Sequence, residues 1–264
     1  MTRTIPPTLA PLLELLELER PSVVTVERLA EMARSAGVPG RLNMIVRRLA
    51  SRGWLLPTGA RGSWEFVPAD RAGPYSSQDP WLPLRGVLAD RPDFPVRVAL
   101  GSALWLLDLA DRGPDRPEIA VPPGLRLPLT LAPSHRVTRF APVLPAQDVQ
   151  GLPVEAPASL LAHLAERPAV VRSWEAVLAV LPRLLERVMP VDLSAELAGR
   201  TAATRARCGY LVAPYAPDLV AQLEPAPGGT TWFGPRGPVR RYDTRWRVVD
   251  TTLPRAPGPG PDQP

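Results

Sequence analysis

Six arginines, Arg34, Arg41, Arg47, Arg48, Arg52 and Arg61, fall between Glu31 and Glu65 with no aspartate or glutamate among them. A guanidinium is a planar fork of donors that holds a phosphate, or the O6 and N7 of guanine, through paired hydrogen bonds. Without nearby carboxylates those donors stay unengaged and their positive field favours a polyanionic partner. The chemistry to which these residue types point is recognition of duplex DNA. In residues 37–54, GVPGRLNMIVRRLASRGW, a helix turning roughly 100° per residue gathers Leu42, Ile45, Val46 and Leu49 on one face. Met44, Arg47, Arg48 and Ser51 then lie on the other, with Arg41 and Asn43 on its flanks. The first turns of such a helix reach base edges, where Asn43 matches adenine, while later arginines such as Arg52 hold phosphates.

Three preceding signals and two following ones must position this helix. Thr8 to Glu19 reads as a leucine-rich helix, and Thr25 as the N-cap of a second helix, VERLAEMARSA, with Val26, Leu29, Ala30 and Ala33 as its apolar stripe. Gly37 and Pro39-Gly40 force a turn, and Gly53 stops the arginine helix. WLLPTGARGSWEFV then reads as a hairpin: one strand at Trp54 to Leu56, a turn at Thr58 to Gly62, and a second strand at Trp64 to Val67. Arg61 sits at its tip, placed to follow the DNA backbone or enter the minor groove. Trp54 and Trp64 read as packing between hairpin and helix. Helix, helix, turn, arginine helix and ribbon is the order of a winged helix-turn-helix, predicted over residues 1–70.

Composition narrows the remainder. The 264 residues are 45% hydrophobic and 22% charged, an ordinary folded composition. Every one of the 31 basic residues is arginine, which with 36 prolines suggests GC-rich coding and makes distribution more informative than the net charge of +5. The chain has no lysine, which removes a Walker A loop and Schiff-base chemistry. His135 and His163 have no partner at metal-ligand spacing and read as surface or capped residues; no metal or cofactor is expected. The lone Cys208 reads as a small packed hydrophobe. Gly101-Ser102 with downstream acids approaches a nucleotidyltransferase pattern. Asp108, Asp111, Asp115 and Glu118 lack the spacing of its metal pair, and the sequence is not read as an enzyme. Apolar runs are too short to span a bilayer, and Glu14, Glu17 and Glu19 interrupt the N-terminal leucines, so a cytoplasmic protein is expected.

Residues 71–80 read as a linker and 81–253 as a larger mixed α/β domain rich in helices, so the fold class is α+β. Within it, PWLPLRGVLAD and SALWLLDLA are helix candidates, and EIAVP and RVTRFAP strand candidates. Residues 157 to 212 are mostly helical, with a break or kink at Pro182 and a cap at Asp192. TRWRVVDTTL alternates like a strand, and 254–264 reads as a disordered tail. A second basic cluster, Arg236, Arg240, Arg241, Arg245 and Arg247 against Asp243, is either a charged solvated edge strand or a second contact surface.

Residues 20 to 215, from VERLAEMARSAGVPGRLNMIVRRLASRGW through DPWLPLRGVL, PVRVALGSALWLLDL and EIAVP to CGYLV, resemble the AbiEi family of antitoxins from type IV toxin-antitoxin systems. The resemblance implies an N-terminal winged helix that binds inverted repeats in the promoter of its own operon and represses it. It also implies a C-terminal domain that counteracts a nucleotidyltransferase toxin. Arg41, Asn43, Arg47, Arg48, Arg52 and Arg61 would then contact the operator, with no membrane involved. The alternative is a ligand-responsive winged-helix regulator without a toxin partner.

Overall fold

The computed structural model describes residues 5–71, 77–221, 223 and 229–258. The chain runs through α1 (Ala10–Glu19), β1 (Val23–Thr25), α2 (Val26–Ser35), α3 (Leu42–Ser51), β2 (Leu55–Pro57), β3 (Ser63–Phe66) and α4 (Leu82–Asp90). It continues with β4 (Arg97–Val98), α5 (Leu100–Leu106), β5 (Glu118–Val121), α6 (Leu131–Ser134), β6 (Arg136–Arg139), β7 (Gln147–Val149) and β8 (Leu152–Val154). Four helices follow, α7 (Pro157–Glu166), α8 (Trp174–Leu185), α9 (Pro190–Ala198) and α10 (Ala202–Val212), then β9 (Thr231–Phe233), β10 (Arg241–Asp243) and β11 (Val248–Asp250). The fold is α+β.

Two compact units form, one from Met1–Pro95 with Arg126–His135, the other from Val96–Leu125 with Arg136–Pro264. In the first, α1, α2 and α3 pack Leu12, Leu16, Leu29, Met32, Ile45 and Leu49 into one core with Trp54, Leu55 and Phe66. Thr25 caps α2 as expected, its side chain accepting from Arg28 N at 3.2 Å. The α2–α3 turn needs left-handed backbone at Gly37 (φ 63°) and Gly40 (φ 123°), which glycine adopts without steric cost. The ribbon is a three-stranded antiparallel sheet, β1-β3-β2. Its edge strand β1, with Val24 fully buried, is not anticipated by the sequence because three residues are too few to show a period of two.

The compact units divide at Pro95, beyond the expected linker at 71–80. The physical reason is that α4 packs on β1 and β3. A Cβ on Gly86 of α4 would stand 2.8 Å from Thr58 Oγ1 and 3.0 Å from Ser63 Oγ, so only glycine lets the helix approach the hairpin this closely. Residues 72–76 of the expected linker lie outside the described residues. The flanks beside them are tied down, since buried Glu65 accepts from Ser77 N (2.6 Å) and Arg71 Nη1 (3.2 Å).

The second unit holds a five-stranded mixed sheet, β6-β5-β4-β8-β7, and a three-stranded sheet, β10-β11-β9. Helix α7 is buried from Pro157 to Ala165, as an alanine- and leucine-rich segment without a polar face must be. Helix α8 continues through Pro182 and ends one turn later, so the expected break is absent. Asp192 does not cap α9. Met189 holds the N-cap position and Pro190 starts the helix, placing Asp192 in the first turn, where its charge favours the helix dipole. Only Val248–Asp250 of the expected C-terminal strand pairs, because Asp243 to Arg247 turns, with Asp243 Oδ1 accepting from Trp246 N at 2.7 Å. The tail expected from 254 is ordered at its start, with Pro257 buried; residues 259–264 lie outside the described ones. No helix among the described residues is long and apolar enough to cross a membrane.

Candidate nucleic-acid interface

Helix α3 buries Ile45 and Leu49, half-buries Leu42 and Val46, and thereby turns Asn43, Met44, Arg47, Arg48 and Ser51 to solvent, with Arg41 and Arg52 exposed at its two ends. Met44 is 44% exposed, an apolar side chain left uncovered amid guanidinium groups. Arg61 is exposed on the hairpin turn. The sequence-predicted set is therefore brought onto the open side of α3 and the ribbon tip within one compact unit. Among the described residues none of Arg34, Arg41, Arg47, Arg48, Arg52 and Arg61 pairs with a carboxylate. Local bonds on the helix are to its own backbone: Ser51 Oγ and Arg52 Nη1 donate to the Arg48 carbonyl, at 3.1 and 3.4 Å.

The acids nearest in sequence are engaged elsewhere. Glu31 and Glu19 both hold Arg28, at 2.6 and 2.7 Å, and raise its pKa further through hydrogen bonds and charge. Glu65 is buried beneath Arg71, and Asp70 takes Arg20 at 2.9 Å. Carboxylates thus pair with arginines just after α1, on α2 and after β3, while among the described residues the α3 arginines make no ion pair. Trp54 is 2% exposed and lies parallel to Phe66 at 6.4 Å; Trp64 is half-buried against the same core. Both are packing residues.

The second basic cluster does not form one free surface. Arg241 donates to Asp250 Oδ2 at 3.0 Å and to the Leu253 carbonyl, and Arg240 donates to the same carbonyl at 3.2 Å. Arg245 lies over the Trp246 ring at 5.1 Å. Arg236 and Arg247 are exposed.

Sequence reading missed a polar network in the second unit. His135 and His163 are not surface residues; they are 1% and 0% exposed. His163 Nδ1 lies 2.7 Å from Glu155 Oε1, and its Nε2 lies 3.1 Å from Thr138 Oγ1. Its ring stacks on Phe140 at 4.2 Å, and Arg200 covers Phe140 at 4.3 Å. Arg200 also donates to fully buried Glu196, which accepts from Ser159 Oγ (2.7 Å) and from Val143 N and Leu144 N. Burial raises the Glu155 carboxyl above its ordinary value, an effect that His163 partly offsets. Arg97 has its own pKa lowered by desolvation, against the fields of Glu155 and Glu196. Glu155, His163 and Glu196 are fully buried; His163 meets Thr138 of β6, and Glu196 of α9 accepts from Ser159 of α7. The eight-residue spacing of Glu155 and His163 was the available signal, and it is uninformative until β8 and α7 are known to pack.

Gly101 and Ser102 are likewise engaged within the chain. Gly101 N donates to Glu118 Oε2 at 2.8 Å, Ser102 Oγ accepts from Glu118 N at 2.9 Å, and Arg136 Nη1 donates to Glu118 Oε1 at 2.7 Å. A phosphate at this helix start would meet the Glu118 carboxylate. Cys208 is buried, with its thiol pushed up to about 12. Among the described residues no group of three or more His, Cys, Asp or Glu is placed to hold a metal ion.

The region containing this network, residues 96–213, matches the family model of the AbiEi antitoxin C-terminal domain. Residues 96–213 thus carry an AbiEi antitoxin C-terminal domain. Among solved structures, the chain is similar to one titled "Crystal structure of RV2827C protein from Mycobacterium tuberculosis", with 28% identity and a TM-score of 0.78 over 96% of this chain and 94% of that one. No curated protein matches the chain.

Proposed function

We propose that this antitoxin is a DNA-binding autorepressor whose first unit is a winged helix-turn-helix acting on inverted repeats in its own promoter. The observation that carries the reading is the exposed, carboxylate-free arginine face of α3 beside Arg61, in a molecule whose neighbouring arginines are paired. Helix α3 enters the major groove, with Arg41, Asn43, Met44 and Arg47 toward base edges and Arg48, Ser51 and Arg52 toward phosphates. Arg61 follows the backbone into the adjacent minor groove, where narrow A·T tracts attract guanidinium. The AbiEi domain counteracts a nucleotidyltransferase toxin by binding or indirectly, without chemistry of its own, in the cytoplasm. Gel-shift titration with the DNA upstream of the gene tests the first half; binding there no tighter than to scrambled duplex overturns it. Co-expression with an adjacent nucleotidyltransferase tests the second, since rescue of growth is expected.

A second reading, a regulator released by a small ligand, is favoured by a cavity of about 230 Å³ in the second unit. It is walled by Leu100, Leu104, Leu164 and Val177, with Arg112 and Arg172 at its edge. An added small molecule that frees the operator would establish that reading.

A further inference from the structure

The first compact unit includes a segment that the chain contributes from far downstream. Residues Arg126–His135, inside the AbiEi-matched region, belong to the unit built around α3 and the hairpin. They neighbour the hairpin: a Cβ on Gly59, on the hairpin turn with φ 87°, would lie in ordinary van der Waals contact with Thr130, 3.6 Å from its Cγ2. Arg61, two residues along, is exposed.

At Leu129 and Thr130 the chain makes a tight turn, closed by Leu131 N donating to the Pro128 carbonyl at 3.1 Å. Leu129 stands at the corner of this turn and is 90% exposed, the highest exposure among the exposed large hydrophobic side chains. Arg126 is exposed, and among the described residues it pairs with no carboxylate. With consecutive Cα atoms ~3.8 Å apart, Leu129 lies within roughly 10 Å of the hairpin turn, and Arg126 within about 20 Å. Both distances are shorter than one ~34 Å turn of duplex DNA. A bare leucine beside unpaired arginines is costly against water and suits a sugar-lined minor groove, where apolar side chains pack against deoxyribose and base steps.

Resting on the DNA-binding reading above, we propose that the segment Arg126–Leu129, which leads into this turn, is a second wing. Arg126 holds a phosphate, and Leu129 packs against the minor-groove edge beside Arg61. The contact is to backbone and sugar, so it strengthens binding to any duplex and carries little base discrimination.

The test uses the full chain with two probes, the upstream fragment and a scrambled duplex of equal length. Leu129→Asp places a negative charge against phosphate and Leu129→Lys a positive one, at a side chain too exposed to affect folding. Binding to both probes should weaken about tenfold for Asp and tighten for Lys. Arg126→Ala should lower the salt slope by about one on both probes. Asp and Lys variants that bind both probes like the unaltered chain overturn the second wing, even if Arg47 and Arg48 prove essential. If the unaltered chain binds neither probe, the DNA-binding reading itself fails, which is a distinct result.

Discussion

Replacing Arg47 and Arg48 together by alanine separates electrostatic recognition from a merely solvated helix face. Five arginines of the predicted interface, Arg41, Arg47, Arg48, Arg52 and Arg61, are exposed. If each neutralises one phosphate at ~0.9 counterions per contact, log K against log salt has a slope of about −4.5 per bound protomer. Raising salt from about 50 to about 200 mM then weakens binding ~500-fold, whereas the double variant, with a slope near −2.7, loses only ~40-fold. At fixed salt, each base-reading arginine removed costs about 1–3 kcal/mol. Folding should be unaffected: neither side chain makes an ion pair among the described residues, and such surface changes stay within about 0.5 kcal/mol. Gel shifts at four salt concentrations, with a thermal melt of each protein, measure both quantities. An unchanged slope with an intact melt would refute the placement of α3 in the groove.

Gly86→Ala should weaken operator binding without removing any arginine, because the new methyl meets Thr58 and Ser63 and displaces the hairpin from α4; gel shift with circular dichroism checks it. Gly209→Ala drives a methyl into the buried Trp246 ring and should destabilise the second unit by about 1–3 kcal/mol in urea melts, leaving DNA affinity unchanged. Because burial raises the Glu155 pKa, the folded chain keeps that proton to higher pH than the unfolded chain. Its stabilising contribution is full below the ordinary carboxylate range and is lost as pH rises through the raised value. Glu155→Gln cannot ionise and should flatten the stability–pH curve in that window, as read by urea midpoints.

Local rules were sufficient for α2, α3 and the turn between them. Thr25 caps, Gly37 and Gly40 turn, and the 3.6-residue period of Leu42, Ile45, Val46 and Leu49 fixes which side of α3 carries arginine. Those decisions involve residues only a few positions apart, so the sequence carries them openly. Pairings of distant segments needed the folded chain. Strand β1 gains its identity only from the register Val24 to Trp64, and Arg126–His135 rejoins the first unit only after Val96–Leu125 has entered the second. His163 and Glu155, on separate elements, show as a buried pair only once β8 and α7 pack. Arg241 resembles Arg47 in sequence, yet Asp250 engages it across a strand pair. The sequence determined which side chains α3 could offer to solvent; tertiary structure decided which charges stay unpaired, because pairing depends on distance in space.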